Sequence, residues 1–357
     1  METGRAPNRS AAILALVSAT LFGASTPLAK LLLGDGVAPW LLAGLLYMGS
    51  GVGLTAILMA GRGLGLARGE APLRASDMPW LGLVILTGGI AGPVLLMIGL
   101  ETTMASSAAL LLNLEGLATM AIAWLVFKES VDRRLLLGAA AILGGAVLLS
   151  WRGGPHQLSI GALSIAGACL AWGADNNLTR KLSSADPLQI TAIKGMAAGA
   201  VNLVIAAVAG DRLPGLGVSA SSLVLGFFGY GVSLVLFVLA LRSLGAARTG
   251  AYFSTAPFLG AVLGVALLHE PVTAFLLAAG ALMALGVWLH LSERHDHEHT
   301  HEALAHEHRH VHDEHHQHAH DPSDPPGEPH SHWHRHEPMR HKHPHYPDLH
   351  HRHHHRG

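Results

Sequence analysis

Along the chain, long apolar stretches alternate with short polar breaks at a spacing that soluble domains do not sustain. A helix needs about 20 mostly apolar residues to cross a bilayer. Ten stretches meet that need to within about three residues: 11–33, 39–60, 79–100, 103–127, 135–151, 159–181, 187–209, 220–241, 249–268 and 271–291. Residues 39–60 and 79–100 carry no charge. Turn-forming or charged residues mark the breaks, among them Gly34-Asp35-Gly36, Gly61-Arg62-Gly63, Lys128-Glu129-Ser130, Arg152-Gly153-Gly154-Pro155 and Asp211-Arg212. Trp40, Trp80, Trp151 and Trp288 fall near span ends, where amphipathic rings sit at the lipid headgroups. The first stretch follows Arg5 and Arg9 but is too long for a signal-peptide core, and further spans follow it. It is read as an uncleaved first span.

Composition sharpens this pattern by dividing the chain. Only 13% of its 357 residues are charged, against about a quarter in soluble proteins. Residues 1–294 hold 17 Lys and Arg, 13 Asp and Glu, and three histidines: His156, His269 and His290. The remaining 63 residues hold 24 histidines, 6 Lys and Arg, and 11 Asp and Glu. With His neutral, the net charge is +4 in the body and −5 in the tail. A soluble enzyme and a nucleic-acid binder are therefore excluded as first readings. Cys169, the single cysteine, lies in an apolar run and reads as a small buried hydrophobe.

Charge also orients the spans, because loops rich in Lys and Arg stay in the cytoplasm. With the N-terminus inside, the inner loops collect thirteen basic residues, including Arg62, Arg68, Arg133, Arg134 and Arg248. The outer loops collect three: Lys30, Arg152 and Arg212. Ten spans then bring the C-terminal tail to the cytoplasm as well.

A shift of 141 residues aligns 83–148 with 224–289 without a gap. Only 12 of the 66 pairs are identical, so identity alone does not establish a repeat. Charge is more telling. The basic loop Lys128–Arg134 faces a counterpart, His269–Phe275, without Lys or Arg, while Glu101 faces Arg242 in the preceding loop. Each half thus obeys the inside-positive bias in its own orientation, as inverted repeats of alternating-access carriers do.

Two segments carry a family resemblance: Leu21-Phe22-Gly23-Ala24-Ser25-Thr26-Pro27-Leu28-Ala29-Lys30 and Ala171-Trp172-Gly173-Ala174-Asp175-Asn176-Asn177-Leu178-Thr179-Arg180. They resemble the opening helices of the two halves of an EamA-type transporter of the drug/metabolite transporter superfamily. Phe127-Lys128-Glu129 and Leu268-His269-Glu270 resemble that family's acidic mark between the fourth and fifth helices of each half. The likeness covers about 10–292. It departs where Tyr47 and Lys194 stand in place of a frequent Arg, and where Glu115-Gly116 replaces a frequent Pro that half two keeps as Pro257. The resemblance implies an all-α membrane protein of ten transmembrane helices in two inverted five-helix repeats, 1–152 and 153–292; the composition adds a disordered His-rich tail, 293–357. It also implies a secondary carrier in a bacterial inner membrane with both termini cytoplasmic, often an exporter of small metabolites.

An ionisable group at mid-bilayer costs about 2.5–3.5 kcal/mol on insertion scales, so it requires a partner or a wet cavity. Glu115 lies at the centre of the fourth span with Asn113 beside it; Asp175, Asn176 and Asn177 end the sixth, and Lys194 lies in the seventh. These groups are expected to face one cavity, where Glu115 binds a proton or a cationic substrate. A structural Glu115–Lys194 pair is the plainer alternative. Tyr252 and Pro257 mark an expected unwound element beside Glu115, because Pro lacks the amide that continues a helix. Lys30 is expected to snorkel, Glu129 and Glu270 to cap or bridge in loops, and GxxxG spacings such as Gly49/Gly53, Gly195/Gly199 and Gly260/Gly264 to pack helices closely.

In the tail, His295, His297, His299, His301, His306, His308, His310, His312, His315, His316, His318 and His320 alternate with acidic and small residues. Imidazoles and carboxylates at this density suit Ni, Co, Cu or Zn at several weak sites. Pro322, Pro325, Pro326 and Pro329 and the scarcity of apolar residues argue for disorder. No cofactor is required, and no nucleophile–base set or phosphate loop appears. The expected partners are the lipid bilayer, a small-molecule substrate and divalent transition metals at the tail; a homodimer is compatible with the sequence. Three functions remain in play: a carrier of a small polar metabolite, which is favoured, a Ni/Co/Zn efflux carrier fed by the tail, and a membrane metal sensor that transports nothing.

Overall fold

The computed structural model describes residues 9–63, 73–127, 133–150, 159–179, 182, 186–244, 246–292, 295–301, 304–310, 330–336 and 339–345. Among them, nine helical segments are long and apolar enough to cross a membrane. The stretch expected as the sixth span folds as a helix of 20 residues, Ile160–Thr179, but is not one of the nine. Asp175, Asn176 and Asn177 occupy its last turns and make it more polar than the others.

Among the described residues, the body is built of helices. In chain order it comprises α1 (Arg9–Gly34), α2 (Pro39–Gly63), α3 (Met78–Val84), α4 (Gly92–Thr102), α5 (Ala105–Leu111), α6 (Leu114–Phe127) and α7 (Arg133–Ser150), then α8 (Ile160–Thr179), α9 (Pro187–Val208), α10 (Leu216–Gly226), α11 (Ser233–Leu244), α12 (Ala246–Phe253), α13 (Ala256–Leu268) and α14 (Ala274–Leu291). Four spans are interrupted, and the interruptions come in matched pairs. A π-helical segment, Ile85–Ala91, joins α3 to α4, and another, Phe227–Val232, joins α10 to α11. Leu112-Asn113 separates α5 from α6, and Ser254-Thr255 separates α12 from α13. The 141-residue shift maps each interruption onto its partner to within one residue, which identity among the residues could not show.

Local chemistry explains the breaks. At the first, Asn113 N donates to Leu110 O at 3.1 Å and Glu115 N to Leu112 O at 3.0 Å, the tighter bonding of a helix end. At the second, Thr255 N reaches Tyr252 O at 3.2 Å, and Pro257 opens α13, where its missing amide costs nothing. The unwound element expected at Pro257 therefore lies just before it.

Packing repeats the pattern of the breaks. Helix α1 packs on α11 and α13, while α8 packs on α4 and α6; α2 pairs with α9 and α7 with α14. Exchanging the first five spans for the last five leaves this set unchanged. Small residues permit the closest approaches: Gly51 of α2 meets the backbone of Gly195 and Met196 on α9, where no β-carbon fits. Leu42, Leu46, Met97, Leu100, Ile142, Ile165 and Met283 fill the interior. Large apolar side chains such as Leu125, Val126, Val204, Val208, Val262 and Phe275 cover the outside, as suits a protein whose solvent is lipid.

Four described segments of the tail pair as strands. His295–His301 (β1) pairs antiparallel with Met339–His345 (β4), and Leu304–His310 (β2) with His330–His336 (β3). The register sets His297 opposite His343 and His308 opposite His332. Alternation with period two, which marks these segments in the sequence, is the period of a strand.

Candidate functional site

Polar residues of both halves meet where α6, α8 and α9 surround the π-helical segment Ile85–Ala91. Lys194 on α9 donates to Asp175 on α8, Nζ to Oδ2, at 2.5 Å, with their side chains only 16% and 8% exposed. Burial at this level makes each charge depend on the other. Thr179 Oγ1 approaches the second oxygen of Asp175 at 3.5 Å. A β-carbon at Gly88 would collide with the Asp175 carboxylate, so the bare backbone of the π segment is what lets the ion pair sit there.

That backbone is itself used. A π turn is wider than an α turn and leaves carbonyls open to side chains. Gly88 O accepts from Tyr47 OH at 2.6 Å and from Trp172 Nε1 at 3.0 Å, and Gly89 O accepts from Asn202 Nδ2 at 3.2 Å. Helices α2, α8 and α9 thus all grip one distorted turn.

Glu115 stands in the first turn of α6, directly after the break, and is half-buried. A negative charge suits a helix N-terminus, whose first amides lack helical partners. Glu115 Oε1 accepts from Asn176 Nδ2 at 3.0 Å, and the same amide nitrogen lies 3.1 Å from Thr119 Oγ1. Asn176 is exposed, and a β-carbon at Gly116 would meet open space. Asn177 is buried and ties α8 to α6 by donating to Thr119 O at 3.0 Å and Gly173 O at 2.8 Å. The result is a reachable carboxylate with an amide on it, close to an ion pair on the neighbouring helices. It offers a cation or proton site at Glu115 and an anion site at Lys194 whenever Asp175 yields.

The expected residues divide accordingly. Glu115, Asp175, Asn176, Asn177 and Lys194 converge on α6, α8 and α9, but Lys194 pairs with Asp175 rather than with Glu115. Asn113 turns away: its Nδ2 donates to Leu110 O at 2.8 Å and lies 3.8 Å from Met283 Sδ on α14. Tyr252 and Pro257 flank the break of the second half. His295, His297, His299, His301, His306, His308 and His310 fall on β1 and β2, whereas His312, His315, His316, His318 and His320 lie outside the described residues, as does Glu129. Among the described residues, no three His, Cys, Asp or Glu side chains gather as metal ligands. Cys169 is buried, as expected, with Sγ 3.6 Å from Leu111 O.

Sequence reasoning passed over Tyr47, Thr119, Trp172 and Asn202 as site residues. Asn202 was within reach, since a buried amide in an otherwise apolar span invites the same question as Glu115. The others give no local signal, because their role comes from the π turn they hold.

The second half presents different chemistry at the equivalent place. Ser25 takes the position of Asp175; its hydroxyl donates to Phe22 O at 2.6 Å, and Gly229 lies against it. Rings replace charges there: Phe22 lies 6.0 Å from Tyr230 and 5.4 Å from Phe253, Tyr47 lies 5.7 Å from Tyr230, and Phe237 lies 5.0 Å from Phe253.

Comparison with known proteins agrees with this duplicated architecture. The EamA-like transporter family matches twice, over residues 9–151 and 159–292. An uncharacterized transporter of Methanothermobacter thermautotrophicus is 30% identical over 234 residues, which make up 62% of this chain and 66% of that one. The match thus spans just under two thirds of that relative's length. One solved crystal structure, 20% identical, superposes with a TM-score of 0.58 over 79% of this chain and 95% of that one, a likeness of fold. With both halves matched, most of the chain covered and its helices apolar on the outside, the protein is a multi-pass membrane protein that belongs to the EamA-like transporter family.

Proposed function

We propose that this transporter is a secondary carrier that exports a small polar metabolite across the bacterial inner membrane by alternating access. In this reading residues 1–152 and 153–292 are inverted five-helix repeats, Ile160–Thr179 is the tenth span, and both termini face the cytoplasm. The observation that carries it is a reachable Glu115 just after the break between α5 and α6, beside a buried Lys194–Asp175 bridge that sits against the π turn at Gly88. Carriers of this kind bind substrate where broken helices expose backbone and charge near the midplane. Protonation of Glu115 would couple transport to the proton gradient, with Asn176 holding the carboxylate in either form.

A second reading, efflux of Ni, Co or Zn, is favoured by one feature: 24 histidines concentrated in the last 63 residues. One experiment separates the two. Metal content and release of a panel of labelled metabolites are measured in cells expressing the full chain, a chain ending at Ser292, and Glu115→Gln. Export of a metabolite that survives removal of the tail and fails in Glu115→Gln supports the carrier. Metal content lowered by the full chain alone moves the efflux reading to first place. If Glu115→Gln changes nothing, both carrier readings fail and a metal sensor is left.

A further inference from the structure

The corner joining α4 to α5, residues 100–106, is gripped by two charges from distant parts of the chain. Glu270, in the turn after α13, uses both carboxylate oxygens: Oε1 accepts from Ala105 N at 2.6 Å and Oε2 from Ser106 N at 2.8 Å. These amides open α5, where no helical carbonyl can reach them. On the other side of the corner, Lys30 near the end of α1 donates to the carbonyls of Leu100 and Glu101. A carboxylate on amides and an ammonium on carbonyls each match the partial charge of the helix end they hold.

The surroundings give this grip a particular shape. His269, which delivers Glu270, has φ 54° and ψ 36°, and it is the one non-glycine residue with positive φ among those described. A β-carbon disfavours that conformation, and such residues persist where their surroundings over-determine them, often at switches. Gly264 of α13 lies against the Ser106 backbone, so α13 itself presses on the corner. Thr103 Oγ1 and Ser106 Oγ are buried without hydrogen-bond partners. Lys30 and Glu270 therefore hold the corner through its backbone.

The two grips differ in one respect. Lys30 and the corner both lie within the first family match, whereas Glu270 belongs to the second. Any motion that draws the turn after α13 away from α5 must break the Glu270 bonds. Charge-assisted bonds to amides are strong while dry, and water replaces them once the end opens. We propose that Glu270 is the outer latch of the transport cycle: bonded to Ala105 and Ser106 it closes the outer end, and its release opens that end. The proposal rests on the alternating-access reading and on the orientation that puts Lys30, Glu101 and Glu270 outside.

The test uses the full chain with Cys169→Ala and one of two reporters. Ser106→Cys replaces a fully buried side chain under the latch, and Gly116→Cys stands beside Glu115 where there is open space. Membrane-impermeant maleimide is applied from outside for the first and from inside for the second, with Glu270 or Glu270→Gln. The amide keeps the shape of the side chain but loses the charge and one acceptor oxygen. Labelling of Ser106→Cys is expected to rise about tenfold, and labelling of Gly116→Cys to fall as the inner end closes. An unchanged outer rate overturns the latch. So does an outer rise with no inner fall, since that is what a simple helix cap would give. Should Glu270→Gln not reach the membrane, Glu270→Asp, whose shorter reach weakens the grip, must move both rates in the same directions. Labelling needs no substrate, so the latch stands or falls here, while the carrier reading stands or falls on transport by Glu115→Gln.

Discussion

The two halves of this transporter bend their third spans at the same point and then fill the bend with opposite chemistry. In the first half, Gly88 faces the Asp175 carboxylate, and Tyr47 and Trp172 donate to its carbonyl. In the second, Gly229 faces Ser25, and the neighbours are Phe22, Tyr230, Phe253 and Phe237. The backbone of the repeat is thus preserved while the recognition chemistry is not. Burying a second ion pair would cost desolvation without adding a contact.

If that asymmetry is functional, perturbations should be severe in the charged lobe and mild in the aromatic one. The largest effect is expected from Asp175→Asn, which strands Lys194. Breaking a buried pair on one side costs about 3–5 kcal/mol, so the thermal midpoint in detergent should fall and transport should cease. Adding Lys194→Met should restore much of the midpoint without restoring transport; restored transport would show the pair to be scaffolding. Next comes Gly88→Ala, whose methyl meets the carboxylate; overpacking of this kind costs about 1–3 kcal/mol. Gly229→Ala approaches the Ser25 side chain less closely, at 2.9 Å, and should cost less. Equal losses of midpoint in the two variants would undo the distinction between the lobes.

Smaller still is Trp172→Phe, which removes one of two donors to Gly88 O. A hydrogen bond contributes about 1 kcal/mol, and Tyr47 still satisfies the carbonyl, so the loss should fall below that of Trp172→Phe combined with Tyr47→Phe. The mildest is Phe253→Leu in the aromatic lobe, an apolar replacement for which less than about 1.5 kcal/mol is expected. Transport should persist. Abolished transport in a folded Phe253→Leu protein would put substrate in the aromatic lobe too.

Hydrophobic length and charge bias made the spans legible, because the bilayer selects for both directly. The sixth span shows where that reading weakens. Asp175, Asn176 and Asn177 make the helix less apolar, and they are also what make it the centre of the site. Insertion cost marked Glu115, Asp175 and Lys194 as groups in need of partners and suggested Glu115–Lys194 as the plain pair, whereas the structure joins Lys194 to Asp175. Which carboxylate wins depends on the rotation of α8 against α9, and composition carries no trace of it. Asn113 failed for a similar reason: two residues from Glu115 on the chain, it points to the α14 side because the break between α5 and α6 redirects the helix.

By itself, then, the sequence determined a membrane-spanning helical protein, its duplicated order, its polar residues and its abrupt change of composition at the tail. These follow from the cost of placing each side chain in hydrocarbon or water, which is paid residue by residue. Tertiary structure alone decided the π turns, the helix breaks, the partner of Lys194 and the grip of Glu270 on a corner 165 residues away. Those depend on which backbone groups lose their helical partners and which distant side chain arrives to satisfy them, and that is a property of packing.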